Sequence, residues 1–387
     1  MRDWESGARC TAREALVDLA CQIAGPALAG VGRDAGRQRP WPPSRVLLVK
    51  PCCFGDLLMA TPVFAALRAT FPALDLALLT SSWARPAVAT NPDLSRIISS
   101  DALPDLAAAL RLGRRLHGER FDWLLVLDRS PLLALLALAS GAPLRAGLDS
   151  RGRGLALTCR IPVPPDRHEA DLYQDVLRPL DVPVRDPLPR YVVDPRAAEQ
   201  VDALLGALGA GRPLAVLHPG GGQNPGTTLL AKRWAPERYA ALATRLVARA
   251  GATVLVVGAE SDRPATAAVA AGLRPGARWH DLTARLALPE LAALCARADL
   301  YVGNDSGPLH LAAAVGAPTP GLFGPTPPAR YAPRGPRAVA LRVPLDCRPC
   351  WRGGPFPQCA GRCMAALDVE TVWAAAQRLL ESYRAAS

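Results

Sequence analysis

The sequence lacks the usual marks of several large enzyme classes. No G-x-x-x-x-G-K-[ST] loop occurs anywhere in its 387 residues, which excludes a Walker-type phosphate loop. The first strand-turn-helix reads Val49-Lys50-Pro51-Cys52-Cys53-Phe54-Gly55-Asp56. It is not the G-x-G-x-x-G that cradles a dinucleotide, which argues against a Rossmann oxidoreductase. Lysine is almost absent: Lys50 and Lys232 stand against 43 arginines. The arginines read mostly as composition bias on a solvated surface. The two lysines place a compact ammonium where arginine is otherwise universal, and both fall in candidate site loops. No long apolar run survives inspection, because Asp128, Arg129 and Pro131 break the stretch from Trp123 to Ala142. Acidic Asp3 and Glu5 stand where a secretory signal would carry its apolar core, so none is expected.

What is present fits a globular chain with room for two cores: half of its residues are hydrophobic. A net charge of +11 suits anionic partners, whether phosphates, nucleic acid or an anionic membrane face. The ten cysteines are scattered except near the C-terminus, where Cys347-x2-Cys350 and Cys359-x3-Cys363 lie close together. Four such thiols can surround a structural zinc, can pair as two reversible disulfides, or can stay free. A zinc-ribbon nucleic-acid binder is disfavoured, since neither a recognition helix nor interleaved aromatics accompany them. The scattered thiols imply a reducing, cytoplasmic setting, with no nucleic-acid partner and any membrane contact peripheral and electrostatic. The expected state is a monomer.

Residues 1–44 read as an N-terminal arm and linker: Thr11 to Ile23 can form one amphipathic helix, Gly30 to Ser44 is a linker, and the arm is either a weakly ordered tail, the favoured reading, or a membrane-touching segment. Continuous apolar runs predict strands at Arg45–Lys50, Leu74–Thr80, Arg96–Ser99 and Phe121–Leu127, with a helix over Leu57 to Thr70. Strands alternating with helices imply a parallel sheet. A first domain is expected over 45–195 and a second over 196–387. Pro183, Pro187, Pro189 and Pro195 mark the exit from the first, where His168, Glu169 and Asp171 are expected to be exposed. The second opens with Pro213 to His218, a strand running into Gly220-Gly221-Gly222, whose backbone can approach a ligand closely. Asp56 sits at the mouth of the first sheet, either as a helix cap or as a catalytic carboxylate. Glu260 follows the strand Thr253–Gly258, either as a capping acid or as a ribose acceptor.

The most informative stretch is Tyr301-Val302-Gly303-Asn304-Asp305-Ser306-Gly307-Pro308-Leu309-His310, running on to Gly316. A strand ends in a polar turn, Ser306 or Asp305 can cap the helix that follows, Pro308 suits its first turn, and Gly316 can end it. A helix N-terminus at the carboxyl end of a strand is a place for phosphate.

With these motifs collected, the chain from Arg45 to about Leu380 resembles glycosyltransferase family 9, the ADP-heptose:lipopolysaccharide heptosyltransferases. The matching segments are Val49-Lys50 through Gly55-Asp56, Thr227-Thr228 with Lys232-Arg233-Trp234, Asp305 through Ala312, Phe323-Gly324-Pro325-Thr326 and the Cys347/Cys350 pair. The resemblance implies a GT-B fold, two Rossmann-like doubly wound α/β domains facing across a cleft. It implies inverting chemistry with no catalytic cofactor, in which a sugar passes from a nucleotide-sugar donor to a glycan or glycolipid acceptor. Asp56 matches the family's catalytic base. Thr227, Thr228 and Lys232 match the donor diphosphate site, and Glu260 the acid near the ribose. Asp305, Gly307 and His310 match the loop holding sugar and diphosphate, with Ser306 and Pro308 in the same helix N-terminus. Heptose from ADP-heptose, delivered to a lipopolysaccharide-type acceptor, is the expected pairing. The alternatives are another nucleotide sugar on another acceptor, or an inactive nucleotide-binding relative. The loop expected between Gly222 and Thr227 is present and carries Gln223-Asn224-Pro225, to which the resemblance assigns no role, and the 44-residue leader departs from the family's usual start at the first strand.

Overall fold

The computed structural model describes residues 12–30, 40–101, 105–224, 227–274, 276–347 and 361–384. The chain divides into two compact units, the first running to Leu188 and the second from Pro189.

The first unit opens with a helix, α1 (Ala12–Gly30). Its sheet then follows: β1 (Arg45–Val49), β2 (Asp75–Thr80), β3 (Arg96–Ser99), β4 (Trp123–Val126), β5 (Leu144–Asp149) and β6 (Cys159–Pro162). All six strands are parallel, in the order β3-β2-β1-β4-β5-β6. Central strands buried on both faces need continuous apolar sequence, and Val46 to Val49 and Leu124 to Val126 supply it at 0–1% exposure. The helix expected over Leu57 to Thr70 is two helices, Phe54–Met59 and Thr61–Thr70. Pro62 lacks an N–H and occupies the first turn of the second, while Thr61 Oγ1 donates to the Leu58 carbonyl at 2.7 Å across the joint.

Helix α1 is docked rather than loose. Its own Asp18 is buried and pairs with Arg153 at 2.6 Å and Arg151 at 3.3 Å, and Cys21 enters the core of the unit. The expectation of a weakly ordered arm therefore fails over residues 12–30. The side of this helix that faces the protein is partly polar, so an apolar-periodicity reading places it outside.

The second unit repeats the plan with β7 (Leu214–His218), a two-residue hairpin β8 (Gln223–Asn224) and β9 (Thr227–Thr228), β10 (Thr253–Val256), β11 (Trp279–Asp281), β12 (Leu300–Asn304), β13 (Thr319–Leu322) and β14 (Ala338–Leu341). Its parallel sheet runs β11-β10-β7-β12-β13-β14. Counted within each unit, both sheets follow the doubly wound order 3-2-1-4-5-6. This order reverses between the first and fourth strands, leaving a crevice beyond their carboxyl ends where ligands bind. Those ends are β1/β4 in one unit and β7/β12 in the other. Pro195, one of the prolines marking the exit from the first domain, opens the helix Pro195–Ala207, capped by Asp194.

Candidate functional site

In the first unit the switch point carries charge. Lys50 directly follows β1 and is 3% exposed. Its ammonium lies 3.3 Å from Asp56 and 3.2 Å from Asp128, two residues beyond β4. Asp56 is not a helix cap. It sits in the first turn of Phe54–Met59, whose capping position is Cys53 and makes no side-chain cap bond. Burial raises the Asp56 carboxyl above the usual aspartate range, and Lys50 opposes that rise without cancelling it. At Asp128 burial acts the same way, but Lys50, Arg129 and the Ser130 amide outweigh it and hold the carboxyl low. Of the two carboxylates sharing one ammonium, Asp56 is the stronger base.

His168 and Glu169, expected at the surface, are buried at 4% and 1% exposure. Glu169 accepts from Arg129 Nη2 with both oxygens at 2.8 Å, and His168 Nδ1 caps the helix Glu169–Asp175 through the Ala170 N–H. A buried carboxylate requires a partner. Here the partner is 40 residues away in sequence, so no local signal could show it. Tyr173, on the same helix, lays its ring 5.5 Å from the Lys50 ammonium. The turn before Asp56 carries a disulfide between the adjacent Cys52 and Cys53, a pairing that the scattered cysteines do not suggest.

In the second unit the corresponding point is also charged. Lys232 Nζ donates to Asp305 Oδ2 at 2.8 Å, and Thr326 Oγ1 donates to the same oxygen at 2.6 Å. His310 Nε2 lies 3.9 Å from Asp305 Oδ1. All four residues are buried. Burial pushes the Asp305 carboxyl up, and Lys232 and His310 more than offset it, holding it below the usual range. Lys232, Asp305 and His310 are thus brought together as the motifs suggest. Ser306 occupies the capping position of the helix Gly307–Ala314 but does not cap it by side chain: its hydroxyl donates to the Asn304 carbonyl at 3.1 Å. Gly316, at φ +85°, follows the helix as expected. Thr227 and Thr228 form one strand of the β8–β9 hairpin.

Two residues not foreseen as functional shape this point. Asn304 is fully buried, and four partners use its amide. It accepts from Trp234 N at 2.9 Å and Tyr239 OH at 3.1 Å, and donates to the carbonyls of Pro219 at 3.0 Å and Gly220 at 2.9 Å. It therefore fixes the glycine turn to β12. Asp262 fixes the other side of that turn by accepting from Gly221 N at 3.0 Å, Arg233 Nη2 at 2.9 Å and Ala259 N at 3.1 Å. Gly221 itself, at φ +88°, has no room for a Cβ, which would lie 2.6 Å from that of Ser306. Glu260 stands apart at the surface, paired with Arg263 at 2.6 Å; the acid that closes its turn is Asp262. The sequence reading singles out Glu260 alone in this turn and does not foresee Asp262.

Burial acts to raise the Asp262 carboxyl, but hydrogen bonds and charge from His218 with the Gly221 and Ala259 amides bring it to about 2. A carboxyl lowered on folding contributes stability that is present above its unfolded pKa and lost as pH falls towards the folded one. Asp262→Asn should therefore cost on the order of 2 kcal/mol at pH 7, with the gap narrowing between about pH 4 and pH 2. Urea unfolding at the two ends of that window measures it, and a cost independent of pH would assign the loss to packing alone.

The expected four-thiol zinc site gains no support. Cys347 is exposed and Cys363 is 3% exposed in the apolar core, while Cys350 and Cys359 lie outside the described residues. Among the described residues no three of His, Cys, Asp and Glu converge on a common point.

Residues 109–357 match the sequence profile of glycosyltransferase family 9 (heptosyltransferase). The chain belongs to glycosyltransferase family 9. It is similar to lipooligosaccharide heptosyltransferase 2 of Haemophilus influenzae, with 27% identity over 318 residues that cover 77% of this chain and 88% of that one. It is also similar to lipopolysaccharide heptosyltransferase 1 of Pseudomonas aeruginosa, with 29% identity covering 79% and 86%. Among solved structures, E. coli ADP-heptose LPS heptosyltransferase II superposes with a TM-score of 0.70 at 23% identity, covering 88% of this chain and 99% of that one. A family 9 glycosyltransferase from Veillonella parvula superposes at 0.73 with 21% identity, covering 88% and 97%. These structures share the GT-B fold with this chain. As a family 9 member the chain is a glycosyltransferase.

Proposed function

We propose that this family 9 glycosyltransferase moves heptose from ADP-heptose to a lipopolysaccharide-type acceptor, with inversion and without a catalytic metal. The observation that carries this reading is the repeated placement of charge. Each sheet puts a buried lysine and an aspartate at its own topological switch point, Lys50 with Asp56 and Lys232 with Asp305. The names of the curated relatives support heptose and the lipopolysaccharide acceptor.

In this reading the acceptor hydroxyl gives its proton to Asp56 as its oxygen attacks the anomeric carbon. The bond from that carbon to the diphosphate breaks, and its electron pair leaves with ADP. Because attack comes from the face opposite the nucleotide, the configuration inverts. The raised Asp56 carboxyl makes it a better base than an exposed aspartate. Lys232, held by Asp305, meets the growing charge on the diphosphate together with the N-terminus of Gly307–Ala314 and the hydroxyls of Thr227 and Thr228. Glu260 is the remaining candidate for the ribose.

A panel of ADP-, GDP-, UDP- and dTDP-sugars tests the donor by calorimetry. ADP-heptose should bind most tightly, and transfer assays with a deacylated lipopolysaccharide core should then give product. Tighter binding of another nucleotide sugar would refute the donor assignment.

A further inference from the structure

Helix α1 is built inside out for a helix covering a domain. Its protein-facing side, at spacing i, i+3, i+7, holds Asp18, Cys21 and Gly25, all buried. Its outward side, at the same spacing, holds Leu16, Leu19 and Ile23, exposed at 67%, 52% and 70%, with Val17 beside them at 36%. These are four of the ten most exposed large hydrophobic side chains of the described chain, gathered on two turns of one helix. The arrangement is pinned from below. Arg153 and Arg151 hold the Asp18 carboxylate, and Arg160 Nη2 donates to the Gly25 carbonyl at 3.3 Å. Rolling the leucines inward would carry Asp18 outward, away from Arg151 and Arg153.

The surroundings indicate what meets this stripe. Helix α1 and the segment under it, residues 149–160, bring three arginines together with two aspartates, Asp18 and Asp149, and Arg151 and Arg160 are each about a third exposed beside the helix. The chain as a whole carries +11. An apolar stripe on a helix with partly exposed guanidinium groups at its base, in a chain of net charge +11, matches a bilayer surface with anionic headgroups, where leucines enter the acyl boundary and arginines reach headgroup level. Among the described residues no helix is long and apolar enough to cross a membrane, so the contact would lie along the surface.

We propose that the outward face of α1, Leu16, Leu19 and Ile23, docks this enzyme onto anionic lipid bilayers. The inference is independent of which sugar is transferred. The test is cosedimentation of the full chain with vesicles of phosphatidylcholine, with and without about 30% phosphatidylglycerol. The wild type should partition onto the anionic vesicles, more weakly onto neutral ones, and less as salt is raised. The triple variant Leu16→Ser, Leu19→Ser, Ile23→Ser should lose at least about tenfold in partitioning, and Ile23→Ser alone part of that. All three side chains are exposed, so the melting temperature and ADP binding should be unchanged, which separates loss of docking from loss of fold. Equal partitioning of wild type and triple variant, or equal binding to neutral and anionic vesicles, would overturn the proposal. So would a wild-type dimer in sedimentation velocity that the triple variant converts to monomer, because the stripe would then meet a second copy of the chain.

Discussion

Asp56→Asn should lower the transfer rate by about 10²–10⁴-fold while leaving ADP affinity within about twofold of wild type. The asparagine keeps the size of the side chain and cannot accept the acceptor's proton. Because burial raises the Asp56 carboxyl, with Lys50 opposing, the folded state favours its protonated form. Any stability linked to that proton is present below the unfolded pKa and is lost as pH rises through the raised folded value. At neutral pH the asparagine variant should then be at least as stable as wild type, so a lost rate cannot be blamed on a lost fold. The same shift fixes the acid side of the pH–rate profile above the ordinary aspartate range. Lys50→Met removes the opposing charge and should move that limb to still higher pH. An Asp56→Asn enzyme with full turnover would remove this carboxylate from the chemistry.

Lys232→Ala should have two separable consequences. ADP should bind roughly 10–100-fold more weakly, because the diphosphate loses a fixed positive charge. The fold should also lose about 3–5 kcal/mol, because Asp305 is left buried without its cation. The double variant Lys232→Ala, Asp305→Asn separates the two effects: the neutral amide relieves the stranded charge and should restore much of the stability, but not the affinity. Calorimetry with ADP and urea unfolding read the two quantities independently. Unchanged ADP affinity in the single variant would take Lys232 out of the donor site.

The sequence makes the two sheets visible where their strands are central. Val46 to Val49, Ala215 to Leu217 and Leu300 to Val302 are buried on both faces and read as unbroken apolar runs. Edge strands such as β6, with Cys-Arg-Ile-Pro, and β11, with Trp-His-Asp, are short and half polar, and so give no such run. The turn at Asp305 through His310 was legible because its chemistry is local. Its supports are not. Asn304 looks like any polar turn residue until Trp234 and Tyr239, 70 and 65 residues away, are seen to donate to it. Glu169 looks like surface until Arg129 closes on it. Helix α1 misleads for the opposite reason, since the residue that anchors it is an aspartate and those it leaves outside are leucines.

The cluster around Lys50 has a further consequence for which molecules can approach it. Among the described residues two cations, Lys50 and Arg129, face three carboxylates, Asp56, Asp128 and Glu169, so when all are ionised the acids at this switch point outnumber the bases. An uncharged sugar hydroxyl meets no barrier there, whereas a phosphate next to the reactive carbon would be repelled at short range. In the proposed reading, where the acceptor hydroxyl meets Asp56, the first unit would act as an electrostatic sieve, selecting acceptors whose anionic groups lie well away from the hydroxyl that reacts. Inhibition by matched neutral and phosphorylated monosaccharides should rank the neutral ones tighter, and the reverse ranking would show that a further cation enters with the substrate.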